Sequence, residues 1–273
     1  MTGGTVGQAG TATGSATATG TGTGSTDVAA RTIAATASAV YELGWAYYFV
    51  PDTLRRGREL GLDGFRFYFV GRGGVLGNVE APVVASAFGY FEPGLVAKTW
   101  DSARQRADPR EAAREHLACA HRYGREAFGS VGELDRFCRA AEAVVAAVDP
   151  AGLALFAGYA AEPLPDDLAA RAMQLVAVLR ELRGSTHLLA VVASGLSPRT
   201  AHYLRRPADY GLFGWPEDDP PAVTDDDRLA LAAADALTDR LLVPAYAVLD
   251  AAAAGDLVAG VERMVAVRAL GSA

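Results

Sequence analysis

Arg72 and His187 are the two side chains of this sequence best suited to handle charge or protons. Arg72 stands in Gly71-Arg-Gly-Gly-Val-Leu-Gly77, just after the aromatic run Phe65, Phe67, Tyr68 and Phe69. A planar guanidinium beside rings can hold a carboxylate or enolate oxygen at the edge of an aromatic pocket. The alternative is a structural arginine that satisfies loop carbonyls. His187 follows Arg183-Gly-Ser-Thr and heads the apolar run Leu188-Leu-Ala-Val-Val-Ala193. Its ring is expected to point inward beside Arg183, where burial and the neighbouring cation both disfavour the imidazolium. Such a ring can serve as a general base or hydrogen-bond acceptor. The plainer reading is a satisfied core histidine.

Other chemistry finds less support. Gly71, Gly73, Gly74 and Gly77 do not make G-x-G-x-x-G, and no Gly-Lys-Ser/Thr follows, so a dinucleotide or nucleotide site is not expected. His116 and His121 are five apart on a helical stretch and face different ways, so no metal site is expected. There is no G-x-S-x-G elbow. Cys119 and Cys138 read as small core residues. The pattern Val191-x-x-x-Gly195-Leu-Ser197-x-x-Thr200-x-x-x-Leu204 resembles the helix-turn-helix of winged regulators. In that reading Gly195 makes the turn, Ser197 caps the second helix, and Arg199, Thr200, His202 and Tyr203 face a groove. The presumed wing, Pro216-Glu-Asp-Asp-Pro-Pro221, is acidic where phosphate contact needs Lys or Arg. Nucleic acid is therefore not the expected partner.

These side chains need helices to position them. Apolar residues recur at three- and four-residue spacing over residues 27–48, 109–128, 131–148, 166–183 and 225–241. Shorter helices are expected from Asp52 or Thr53 to Leu60, and at 83–91, 95–106, 186–194 and 198–205. The Phe65–Val70 run suits a strand or a core-facing helical turn. It is read as helix, because no neighbouring run alternates to pair with it. Residues 71–77 and 207–224 are expected loops, and 150–164 a short helix or loop. Gly184 is expected to stop the 166–183 helix. A last helix, 245–270, is expected to be interrupted near Gly255. An all-α single domain of about ten helices follows. Phe88-Gly-Tyr-Phe-Glu-Pro93 is echoed in Phe156 to Pro163. The echo fits two related halves or a helix junction of a common kind.

The whole chain has 273 residues, 51% of them hydrophobic and 21% charged, with a net charge of -7. It can bury a large core without disulfides. It lacks the basic balance of a dedicated nucleic-acid or anionic-membrane binder. No run approaches the ~20 apolar residues of a membrane span. Residues 1–26 are almost all Gly, Thr, Ala and Ser, without charge or period. They are expected to form a flexible tail that lacks the marks of a signal peptide, so a cytoplasmic location is the default.

Several blocks occur in a recognisable order: Tyr48-Phe-Val-Pro-Asp52, Tyr68 through Gly77, Ala81-Pro-Val-Val84 with Phe88, Phe91-Glu-Pro93, Arg183-Gly-Ser-Thr-His187, and Ser194-Gly-Leu196. Over residues 30–215 the chain resembles the actinobacterial proteins labelled SalK-like helix-turn-helix proteins. The resemblance implies an all-helical fold and a link to polyketide-type metabolism, with no established reaction. Those proteins typically carry a histidine four residues before the Tyr-Phe-x-Pro block, where this chain has Gly44 followed by Trp45. The expected function is binding of a small molecule of specialised metabolism. A metal- and cofactor-independent cyclase or isomerase would act on an apolar, carbonyl-bearing substrate. Arg72, His187 and Tyr68 would be catalytic, and Trp45, Tyr48, Phe49, Phe88 and Arg183 would line the pocket. The alternative is a transcriptional regulator using residues 190–206.

Overall fold

Proline and a preceding oxygen open many of the helices. Pro51, Pro93, Pro109 and Pro198 sit in first turns, where the missing N–H is harmless and the fixed φ suits a helix. Ahead of three of them a side chain caps the backbone. Glu92 accepts from Gly94 and Leu95 N–H, Asp108 from Glu111, and Ser197 from Thr200. Asp63 and Asp167 cap without proline, and Thr224 and Asp227 form a reciprocal capping box.

The computed structural model describes residues 22–271, with side chains for 24–269. It contains α1 Gly22–Gly44, α2 Pro51–Glu59, α3 Gly64–Gly73, α4 Ala81–Phe88, α5 Pro93–Arg104 and α6 Pro109–Phe128. Then follow α7 Leu134–Ala146, α8 Ala154–Ala160, α9 Leu168–Ala193, α10 Pro198–Arg205, α11 Asp225–Tyr246 and α12 Ala251–Gly271. Short 3-10 turns lie at Gly74–Leu76, Pro207–Asp209 and Gly211–Phe213. Among the described residues there is no strand, and no helix is long and apolar enough to cross a membrane. The expected all-α single domain is what forms.

α9 is the axis of that domain. α1, α6, α7, α8, α10 and α11 pack on it, and almost every residue from Ala169 to Leu182 is buried. Aromatic side chains including Trp100, Tyr47, Phe67, Phe69 and Phe137 fill the main core. Each fully buried large side chain contributes roughly 1.5–3 kcal/mol. A smaller cluster of Ala190, Val191, Leu196, Ala201 and Ala234 ties the end of α9 to α10 and α11.

Glycines account for several departures from expectation. The segment 71–77 is not a loop: α3 continues through Gly73, a 3-10 turn follows, and only Gly77 has a positive φ, 87°. Its other glycines serve close approach. A Cβ on Gly71 would lie 2.6 Å from the His116 ring, and one on Gly74 would overlap the Pro109 carbonyl. α3 can therefore lie directly on α6. Gly184 does not stop α9, which absorbs the expected 186–194 helix, and Gly255 lies inside α12. In each case a propensity loss of about 1 kcal/mol is outweighed by packing on both sides. α11 likewise runs through Pro244.

α1 starts at Gly22 rather than Asp27, so residues 22–26 belong to the helix and not to the expected tail. Residues 1–21 lie outside the described residues. The echo does not mark corresponding elements. Glu92-Pro93 opens α5, whereas Phe156 lies inside α8 and Glu162-Pro163 precedes α9 by a link that ends at the Asp167 cap.

Candidate functional site: an arginine-lined cavity

Because α3 continues past Val70, Arg72 lies one helical turn after Tyr68 and points into the core rather than into a loop. Its Nε and Nη2 donate to the two oxygens of Glu181 at 2.9 and 2.8 Å, and Nη1 donates to the Tyr68 hydroxyl at 3.2 Å. The guanidinium lies 4.4 Å from the centre of the Phe88 ring. Arg180 also reaches Glu181, at 2.6 Å, and donates to the Tyr48 hydroxyl at 3.2 Å. Its arm crosses α1 at Gly44, where a Cβ would come within 2.6 Å of Arg180 Cδ. Gly44 thus leaves space for an arginine. Burial alone would push the Glu181 carboxyl up. The two guanidiniums overcome it and hold the group below the ordinary carboxylate value.

Arg72, Tyr68 and Arg180 form the deep wall of a cavity of about 400 Å³, with Glu181 behind them. Tyr41 of α1, Phe88 of α4, Phe91, and Leu188 of α9 add apolar surface. Arg205, the last residue of α10, and Arg206 just after it stand at its rim. Their side chains are 49% and 41% exposed, against 11% for Arg72 and 15% for Arg180.

A second polar chain lines the same cavity. His187 Nε2 lies 3.1 Å from Asp235 Oδ1, and Nδ1 lies 2.6 Å from the Tyr90 hydroxyl. A carboxylate only accepts, so Nε2 carries the proton and Nδ1 accepts from Tyr90. Arg205 holds both Asp235 oxygens at 2.6 and 2.7 Å. Burial pulls the His187 imidazole below its ordinary value against the opposing pull of Asp235, and burial pushes the Tyr90 phenol up. Both are therefore neutral near pH 7. Tyr90 is aimed by Gly89, which has a φ of 68° and packs against Leu188, and by the Trp215 indole, which donates to the Tyr90 carbonyl at 2.9 Å.

The expected site residues divide. Arg72, His187, Tyr68, Phe88 and Arg183 line the cavity, and Arg183 is paired with Asp239 at 2.8 Å. Three expected lining residues do not line it. Trp45 packs against the main core, with its indole N–H buried and unpartnered. Tyr48 is buried behind Arg180. Phe49 is 47% exposed, because the chain turns outward before α2.

Sequence reasoning missed Glu181, Arg180, Tyr90 and Asp235. Arg180-Glu181 carried a signal: two charges interrupt a helix apolar on all sides, and charges there must be paired. Tyr90 and Asp235 carried none. His116, fully buried, bonds Tyr47 at 3.2 Å and lies outside this cavity. Cys119 and Cys138 are buried thiols pushed up by burial, the latter to about 12. Among the described residues no three His, Cys, Asp or Glu groups converge as metal ligands.

α9, the Ser194–Ser197 turn and α10 form a helix-turn-helix. Gly195 takes a φ of 75°, Ser197 caps α10, and Leu196 plugs the small cluster against α11. The side chains expected to face a groove are engaged within the protein. Arg199 bonds Tyr210 and Asp219, Thr200 bonds Ser197, Tyr203 packs on Tyr210, and His202 is buried with its ring centre 3.9 Å from that of Phe213. α10 thereby becomes a wall of the cavity, supplying Ala201, His202 and Arg205, with Arg206 just beyond its end. No curated protein and no solved structure shows a significant match to the chain. A family model described as "Helix-turn-helix family" matches residues 30–218, well over half the sequence, including Arg72, Arg180, Glu181, Tyr90 and His187 but not Asp235 of α11, and the protein belongs to that family.

Proposed function

We propose that the protein binds a small molecule in this cavity and processes an apolar, carbonyl-bearing substrate of polyketide-type metabolism by proton transfer, without a metal or nucleotide. The observation that carries the reading is that Arg72 and His187, far apart in sequence, line one cavity of small-molecule size. The metabolic setting rests on the resemblance carried by the blocks from Tyr48 to Leu196. Both His187 nitrogens are engaged, so the Tyr90 oxygen is the atom that meets the substrate and His187 is its positioning partner. A proton leaving the carbon next to the carbonyl passes to Tyr90 as the Tyr90 proton moves to His187, with Asp235 stabilising the imidazolium. Arg72 and Arg180 face the negative charge that develops on the carbonyl oxygen. Isomerisation and aldol-type cyclisation both begin with this step.

The test is hydrogen exchange of acetonaphthone in D2O, followed by NMR, together with its effect on the melting temperature. Wild-type protein is expected to be stabilised and to speed methyl exchange, and Tyr90→Phe to be stabilised without speeding it. Absence of both effects in wild type removes the reading.

The helix-turn-helix geometry favours a second reading, a transcriptional regulator. It predicts salt-dependent duplex retention that weakens in Arg199→Ala. The internal engagement of Arg199, Arg205 and Arg206 and the net charge of -7 oppose it. Lack of retention at low salt removes it.

A further inference from the structure

The charges around the cavity do not balance. Five guanidiniums line it, those of Arg72, Arg180, Arg183, Arg205 and Arg206. Four carboxylates answer them. Asp235 takes Arg205, Asp239 takes Arg183, Asp209 stands 3.6 Å from Arg206, and Glu181 is shared by Arg72 and Arg180. The two histidines of the lining, His187 and His202, are held below their ordinary value by burial and add no charge near pH 7. Tyr48 and Tyr68 give the arginines hydroxyl oxygens but no negative charge. The missing anion therefore belongs to the deepest part of the cavity, where two nearly buried cations share one fully buried carboxylate.

Within that triad every nitrogen of Arg72 donates, Nε and Nη2 to Glu181 and Nη1 to Tyr68. Arg180 is less fully engaged. Both of its contacts use Nη1, and its Nε is buried without a hydrogen-bond partner. An uncompensated buried cation is costly unless a counter-charge joins it. The space beside it is cavity, and its far side is aromatic: the Tyr41 ring lies 5.4 Å from the Arg180 guanidinium and 4.7 Å from that of Arg206. Phe88 and Phe91 supply a second apolar wall.

We infer that the site takes a flat, apolar ligand bearing a carboxylate, which completes the Arg72–Glu181–Arg180 triad at Arg180 while Arg206 closes over it from the rim. This deepens the small-molecule reading and rests on it. It adds a charge requirement that the reading itself does not contain. A matched carboxylate supplies the geometry that a guanidinium fork binds best, and the aromatic walls accept a ring system.

Isothermal titration of the full chain with naphthoate and with its neutral isostere naphthamide tests the inference. Naphthoate is expected to bind at least about tenfold more tightly, the difference one charge-assisted hydrogen bond makes, and to weaken as salt rises. Arg180→Gln is expected to abolish the preference. Arg206→Gln, a change at the exposed rim that leaves the core intact, is expected to weaken naphthoate binding and leave naphthamide unchanged. Equal binding of the two probes by wild type overturns the carboxylate inference and leaves the small-molecule reading standing. Binding of neither overturns both.

Discussion

Arg72 of α3 and Glu181 of α9 are joined by two parallel hydrogen bonds, 2.9 Å from Nε and 2.8 Å from Nη2, between charges that are both almost fully buried. Removing the carboxylate strands two guanidiniums, whereas removing Arg180 leaves a matched pair. Glu181→Gln is expected to cost about 3–5 kcal/mol in urea unfolding, and Arg180→Gln far less or nothing. A reversed order contradicts the charge count drawn above.

Gly89 sets the approach of Tyr90 to His187 through both its backbone and its lack of a side chain. With φ at 68°, alanine there is strained by about 1–2 kcal/mol, and its Cβ would also overlap Leu188. Gly61 has a similar φ of 74° with open space around it. Gly89→Ala is therefore expected to destabilise clearly more than Gly61→Ala in parallel thermal melts. Equal effects would mean that the Leu188 contact carries no weight.

The Tyr90–His187–Asp235 chain is expected to behave as a unit. A double-mutant cycle of Tyr90→Phe and His187→Gln should give a coupling of about 1 kcal/mol. Asp235 raises the His187 value against burial, while Arg205 and Arg183 lower it. Asp235→Asn is thus expected to move the His187 titration to lower pH in NMR spectra. A shift upward would place Asp235 outside the chain.

His116 links stability to pH. Burial holds its imidazole down to about 3, from an ordinary 6.5, with the Arg72 charge adding to the effect. In the unfolded chain the ring takes up a proton as pH falls through 6.5, and in the folded chain it does so only near 3. Its contribution is whole above pH 6.5 and declines as pH falls toward 3, by up to about 1.4 kcal/mol per pH unit. Urea midpoints should fall across this window, and more shallowly in His116→Asn. Parallel curves would assign the decline to other groups.

Local information in the sequence accounts for the elements. Pro109, Asp108 and the apolar spacing after them define α6 at its observed bounds, Pro109–Phe128, because caps and periodicity act within a turn or two. The Ser194–Ser197 turn is legible for the same reason, since Gly195 and Ser197 each meet a backbone demand next to them in the chain. The same locality misreads Gly71 and Gly184. A glycine shows permission to turn, and only the neighbour across the interface, His116 for Gly71, shows that it is used for closeness instead.

The sequence by itself determined an all-helical chain, several of its helix starts, such as those of α6, α10 and α11, and Arg72 and His187 as notable groups. Tertiary structure alone decided that Arg72 meets Glu181, that Tyr90 and Asp235 flank His187, that Tyr48 and Phe49 stay out of the cavity, and that α10 faces inward. Pairing of buried charges and the walls of a cavity depend on distances between helices remote in the chain. Those distances follow from how whole surfaces pack, which no spacing along one strand of sequence encodes.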